Sequence, residues 1–317
     1  MPSTRSALPA LTASAAALAL LLTGCSRSGD GDSGEEPAIG SVPTILESRS
    51  LAFPISAYLP DDRQQGTLAQ AQDLLIDQCM QRYGFRYQEM RKPGPDAGQN
   101  DNSRRYGISD PTEAAGLGYD NPRVARSQKP PRPTYGPNEE LVLDGLQVDP
   151  STQFPTSQEE AEKSDVATTV VGGRKVPAGG CKRESALKLH SPTKDTVRSM
   201  DAQGFGLDAY SRSRKDSRVV GAFKSWSACM GRYGYTVDNP MDQPPGIDNS
   251  NIRSPQAIAM AKQDVDCKRE TNLVGIWYTV ELAYQKRVIE QNAETLDRAK
   301  KQLDERMKLA GSVIAGS

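Results

Sequence analysis

The chain has 317 residues, 39 basic against 40 acidic side chains, 36% hydrophobic and 6% aromatic residues, and a mean hydropathy of -0.61. A net charge of -1 gives no field to gather nucleic acid or anionic lipid. Few aromatics beside 27 Gly and 22 Pro argue against a large enzyme barrel and for a modest core with long loops, within a length that admits two domains.

In chain order, the first segment is MPSTRSALPALTASAAALALLLTGC. One basic residue, Arg5, precedes an apolar run from Ala7 to Leu22, and Leu22-Thr23-Gly24-Cys25 follows. A charged start, a short apolar stretch and small residues at a cleavage point describe a secretory signal over residues 1–24. The Leu-x-Gly-Cys ending resembles the lipobox of bacterial lipoproteins, which implies lipidation of Cys25 and a membrane held through its acyl chains, palmitate among them. Two or more chains anchor far better than one, at about 0.8 kcal/mol per buried CH₂. No other apolar run approaches the ~20 residues of a spanning helix. Residues 25–45, mostly Gly, Ser and acid, read as a flexible tether.

Leu68, Ala71, Leu75, Cys79 and Tyr83 follow at helical spacing. They lead into CMQRYGF (79–85), which recurs as CMGRYGY (229–235) after the helical run VVGAFKSWSACM. In both copies Gly84 or Gly234 sits at the left-handed position past a helix end. Met80 and Phe85, or Met230 and Tyr235, take the paired positions of a Schellman ending, and Arg82 or Arg232 lies in the last turn. Tyr83 and Tyr233 are expected to pack as the apolar stripe continues.

A long polar insertion separates the copies. It carries a third Arg-Tyr-Gly (Arg105, Tyr106, Gly107), a short helix expected over Asp110–Leu117, and one PxxP at Pro130 and Pro133, read as a stiff loop. ELVLDG (140–145) and TTVVGGRKVP (168–177) are expected as short strands, the latter with a Gly-Gly turn. Cys181-Lys182-Arg183-Glu184 recurs as Cys267-Lys268-Arg269-Glu270, so each half carries the same order of motifs, a degenerate duplication with halves at 46–200 and 201–317.

With Cys25 set aside, Cys79, Cys181, Cys229 and Cys267 are an even set in an exported chain, which favours disulfides over metal. One His and no close Cys pair speak against zinc. Repeat symmetry favours Cys79–Cys181 with Cys229–Cys267, and Cys79–Cys229 with Cys181–Cys267 is the alternative. Each bond contributes roughly 4–5 kcal/mol in the chain-entropy account.

From Ser254-Pro255, a cap and first-turn pair, one long helix is expected to about Lys308. Leu273, Ile276, Trp277, Val280, Tyr284 and Val288 make its first apolar face. Beyond them Ile289, Leu296 and Leu303 form a thin seam, suited either to lying on the body or to projecting toward a partner.

Catalytic signatures do not emerge. Gly29, Gly31 and Gly34 match GxGxxG only within the tether. Ser185/Lys188 and Ser191/Lys194 match Ser-x-x-Lys at chance level without a companion motif, and His190 lacks an orienting acid. Asp264, Asp266, Glu270 and Glu281 read as a solvated face, with Glu270 and Glu281 able to share it.

In combination, CMQRYGF, RRYGISD, AAGLGY, PAGGC, CMGRYGY and AIAMAKQDVDCKRETNLVGIWYTVELAYQKRVIE resemble a family of uncharacterised actinobacterial lipoproteins, over most of residues 70–290. The resemblance implies an envelope lipoprotein with paired cysteines and carries over no activity. The expectation is thus a mainly α body from a degenerate duplication, with a small β-hairpin and loop insertion and a long C-terminal helix. It needs no cofactor or metal and acts as a non-catalytic binding or accessory protein on the outer face of the cell membrane, touching an envelope protein through the C-terminal helix. The alternatives are a small-ligand or cell-wall binder using Tyr106, Tyr119 or Tyr135, and then a hydrolase.

Overall fold

Each copy of the repeated phrase ends a helix. In this computed structural model, which describes residues 35–89, 102–121, 133–145, 153–166 and 169–317, helix α1 (Asp62–Gln81) precedes Gly84 and helix α7 (Ser217–Arg232) precedes Gly234. Phe85 N–H donates to Met80 O and Tyr235 N–H to Met230 O, each at 3.1 Å, while Gly84 and Gly234 donate to Gln81 O and Gly231 O at 3.0 Å. With φ of 81° and 84° at the two glycines, these are Schellman endings, as the letters predict. Tyr83 is half-buried, but Tyr233 is 54% exposed, so the expected packing fails in the second copy.

Between α1 and α7 lie α2 (Pro111–Leu117), α3 (Pro137–Asp144), α4 (Gln158–Lys163), strands β1 (Val170–Val171) and β2 (Arg174–Lys175), α5 (Gly180–His190) and α6 (Ser199–Ser213). The strands pair antiparallel around Gly172-Gly173, with Val170 opposite Lys175. Helix α2 starts from the Asp110 cap as expected. ELVLDG, expected as a strand, belongs to α3. A short Leu141-Val142-Leu143 run fits either period. Pro137 at the first position, Glu139 accepting from Gly136 N–H at 2.8 Å and the stop at Gly145 decide for helix.

The predicted single C-terminal helix is three: α8 (Pro255–Glu270), α9 (Leu273–Gln291) and α10 (Ala293–Ala315). Asn272 adopts φ 50°, while its side chain accepts from Ile45 N–H and donates to Pro43 O at 3.1 and 2.9 Å. Asn292 makes the second break, its amide donating back to Val288 O at 2.8 Å. Asparagine side chains that bond nearby backbone compete with the helix, and no proline is needed.

The main core packs α6, α7, α8 and α9 around Trp277, which is fully buried among Tyr106, Tyr210 and Phe223. A second cluster joins the end of α1, α3, the hairpin and α5 around Cys79 and Cys181. In a third, Leu68 and Ala71 of α1 meet Leu189 of α5 and Leu303 and Ala310 of α10. The thin seam therefore lies on the body, with Leu296 and Leu303 buried, and does not project.

Residues Glu36–Ser317 form one compact unit. The expected signal over 1–24, Cys25, the Gly29–Gly34 motif and Pro130 of PxxP lie outside the described residues. One boundary needs correction. Residues 36–45 are not free tether: Ile39 and Ile45 pack on the main core, and Glu36 accepts from Ser217. The repeat halves at 46–200 and 201–317 interlock, since Tyr106 sits in the core of the second half and α10 rests on α1 of the first.

Candidate functional site

Two disulfide nodes organise the body. Cys79 joins Cys181 and Cys229 joins Cys267, each pair with Cα atoms 5.6 Å apart. The repeated Arg and Glu complete both nodes, Arg82 pairing with Glu184 and Arg232 with Glu270, so almost every repeated letter has a structural partner. The copies differ in burial. Glu184 is 12% exposed and Glu270 55%. Burial pushes the Glu184 carboxyl up, but hydrogen bonds from Lys188 and Arg82 outweigh it and hold the group below the usual carboxylate range. That ties up Lys188 of one Ser-x-x-Lys match, and Ser185 Oγ donates to Lys182 O.

The third Arg-Tyr-Gly has a different task. Arg105 pairs with Glu281 of α9 and stacks on Phe53 and Tyr210, 4.5 and 5.1 Å from their ring centres. Tyr106 O–H donates to Glu281 at 2.8 Å, and Gln285 Nε2 donates to the same carboxylate at 2.8 Å while its Oε1 accepts from Ile55 N–H. Glu281 is wholly buried and wholly satisfied. Gly107 follows at φ 78°, where a Cβ would lie 2.5 Å from Pro240 O. The loop therefore plugs into the second half.

Beside it lies a second buried charge pair. Lys268 Nζ is 3.1 and 3.2 Å from the two Asp264 oxygens and donates to Ile108 O at 2.9 Å. Trp226 N–H and Tyr119 O–H donate to the same carboxylate at 2.8 and 3.3 Å. Burial raises the Asp264 carboxyl and lowers the Lys268 ammonium, each against the pull of its partner. Such a pair, closed to solvent, holds α8 to the insertion.

The expected solvated face of four carboxylates is thus dispersed. Asp264 and Glu281 are buried in separate networks, and Glu270 pairs with Arg232, so Glu270 and Glu281 share nothing. The tyrosines do not gather either. Tyr106 is in the main core, Tyr119 bonds Asp264, and Tyr135, in the second cluster, accepts from Gln88 N–H at 3.2 Å. No family model, curated protein or solved structure matches the chain.

One open groove, of about 520 Å³, lies between residues 37–43 and α9, walled by Ile39, Ser41, Tyr278, Leu282, Lys286 and Glu290. Tyr278 O–H is committed to Ala52 O at 2.8 Å. The wall mixes apolar surface with two cations, Lys286 and Arg287, and one carboxylate, Glu290. Among the described residues no group of three or more His, Cys, Asp or Glu could hold a metal, and no helix is long and apolar enough to cross a membrane.

Proposed function

We propose that this chain is a lipoprotein anchored through Cys25 on the extracytoplasmic face of the cell membrane, serving as a non-catalytic binding or accessory protein of the envelope. The observation that carries the reading is the cysteine pattern. Four cysteines pair as Cys79–Cys181 and Cys229–Cys267, which suits an oxidising compartment and leaves Cys25 over, placed after Leu-Thr-Gly. The burial of Asp264 and Glu281 in ion pairs that join elements supports a structural use of the chain's polar residues. An envelope partner would meet the groove along α9 or the outer, charged face of α10 (Glu294, Asp297, Lys301, Asp304), because α1 occupies the apolar seam.

The test is expression of the full chain in a bacterium with lipoprotein maturation, fed an alkyne analogue of palmitate. The native chain takes up label, Cys25→Ser does not, and alkylation under denaturing, non-reducing conditions finds no free thiol in the mature protein. Label persisting in Cys25→Ser, or four reactive thiols, overturns the reading.

A further inference from the structure

The segment that leads into the body is pinned at both ends. The Glu36 carboxylate accepts from Ser217 N–H and Oγ–H, the latter at 2.7 Å, in the first turn of α7, and Pro37 O accepts from Arg218 at 2.9 Å. At the other end Asn272 holds Pro43 and Ile45. Pro43 O lies so close to Gly275 that a Cβ there would meet it at 2.2 Å. Between the two ends Ile39 packs on the core and the segment follows α9 from Glu290 back toward Gly275. The chain therefore enters the body at one fixed point, beside the first turn of α7 and the later half of α9.

We infer that this end of the body faces the lipid bilayer, because only ten residues, 26–35, separate Cys25 from the pinned Glu36; the inference rests on the lipid anchor at Cys25. From Cys25 to Glu36 is about eleven peptide units, which reach at most about 40 Å in any conformation. A compact unit of roughly 280 residues has a radius of gyration of about 19 Å and a width near 50 Å. The leash is shorter than the body is wide, so the entry end is held near the headgroups and the opposite side is held away. Were the chain free as far as Ile45, the reach would be about 70 Å, and any face could turn to the membrane. Pinning converts a loose tether into an orienting one, with the groove along α9 starting on the membrane side.

The test uses the full lipidated chain in phosphatidylcholine vesicles whose headgroups carry an energy acceptor. A donor is introduced through a bioorthogonal residue at Lys215, just before α7, or at exposed Tyr233, just after it. Helix α7 has 16 residues and so separates the two sites by about 24 Å. Transfer from position 215 is expected to exceed that from 233 about twofold or more. Inserting about twenty Gly and Ser residues between Glu35 and Glu36, enough to let any face approach, is expected to even the two. Equal transfer with the native leash, in protein that floats with the vesicles, overturns the facing alone. Protein that does not float overturns the facing together with the anchor.

Discussion

His190, the chain's one histidine, closes α5 with its ring nitrogen 3.3 Å from Gln72 Oε1. Burial, and then the nearby Arg306 cation, hold its pKa below the ordinary imidazole value. An unfolded chain takes up this proton near pH 6.5, and the folded chain only at lower pH. Between those two values the unfolded state binds more protons, so stability declines as pH falls through that window. The single imidazole signal in an NMR titration should therefore titrate below 6.5, and the acid-side decline just below neutrality should flatten in His190→Gln. A midpoint at or above 6.5 would contradict the burial argument. The Asp264–Lys268 pair makes a larger claim. Lys268→Met leaves a buried carboxylate with only neutral donors, and removing one partner of a buried pair costs about 3–5 kcal/mol. Asp264→Asn in the same chain should recover much of that in urea unfolding, because the stranded charge is gone; a single-variant loss under about 1 kcal/mol would refute the pairing. The i,i+4 spacing of Asp264 and Lys268 is legible in the sequence, but the burial of the pair is not. The partners of Asp264 and Glu281 on the insertion lie 145 and 175 residues away along the chain, and spacing on one helix says nothing of such neighbours.

Elements are most legible where local chemistry decides them. The two Schellman endings, the Asp110 cap and the Gly-Gly hairpin depend on residues within one or two turns, and each stands where the letters put it. The breaks at Asn272 and Asn292 are not legible in the sequence, because an asparagine ends a helix when its amide finds a backbone partner. For Asn272 two of those partners are Pro43 and Ile45, more than 200 residues earlier. The duplicated Arg–Glu pairs give a test between elements. Arg82→Gln takes a charge from a nearly buried Glu184, which keeps Lys188, and should cost about 1 kcal/mol. Arg232→Gln acts on a pair exposed on both sides, where about 0–0.5 kcal/mol is expected. Equal losses by chemical denaturation would mean that the two nodes are alike in burial. Helix α10 is tested by Leu303→Ala, which should cost about 2–4 kcal/mol because the side chain fills the contact with Leu68 and Leu189. Leu309→Ala, 40% exposed, should cost under about 0.5 kcal/mol. A helix that projected from the body would show little difference between them.

At the scale of the whole molecule, the repeat is visible in sequence as two halves but folds as one interleaved body. The Arg105–Gly107 loop of the first half plugs the second, and α10 of the second covers the first. Both disulfides stay within their own halves, so the two halves are joined by packing and by the buried Arg105–Glu281 and Lys268–Ile108 contacts. That division predicts how the protein unfolds when one bond is removed. All four cysteines are nearly or fully buried, so replacing a pair by Ala strands no charge and chiefly enlarges the unfolded ensemble. The loops closed are 102 and 38 residues, and the chain-entropy account gives about 4.7 and about 3.9 kcal/mol. Losing Cys79–Cys181 should thus cost about 0.8 kcal/mol more than losing Cys229–Cys267. Because the halves are interlocked, each variant should still unfold in one transition, with near- and far-ultraviolet circular dichroism changing together. Two separated transitions in either variant would show that the halves melt independently, and the plug and the α10 cover would then be too weak to make them one cooperative unit.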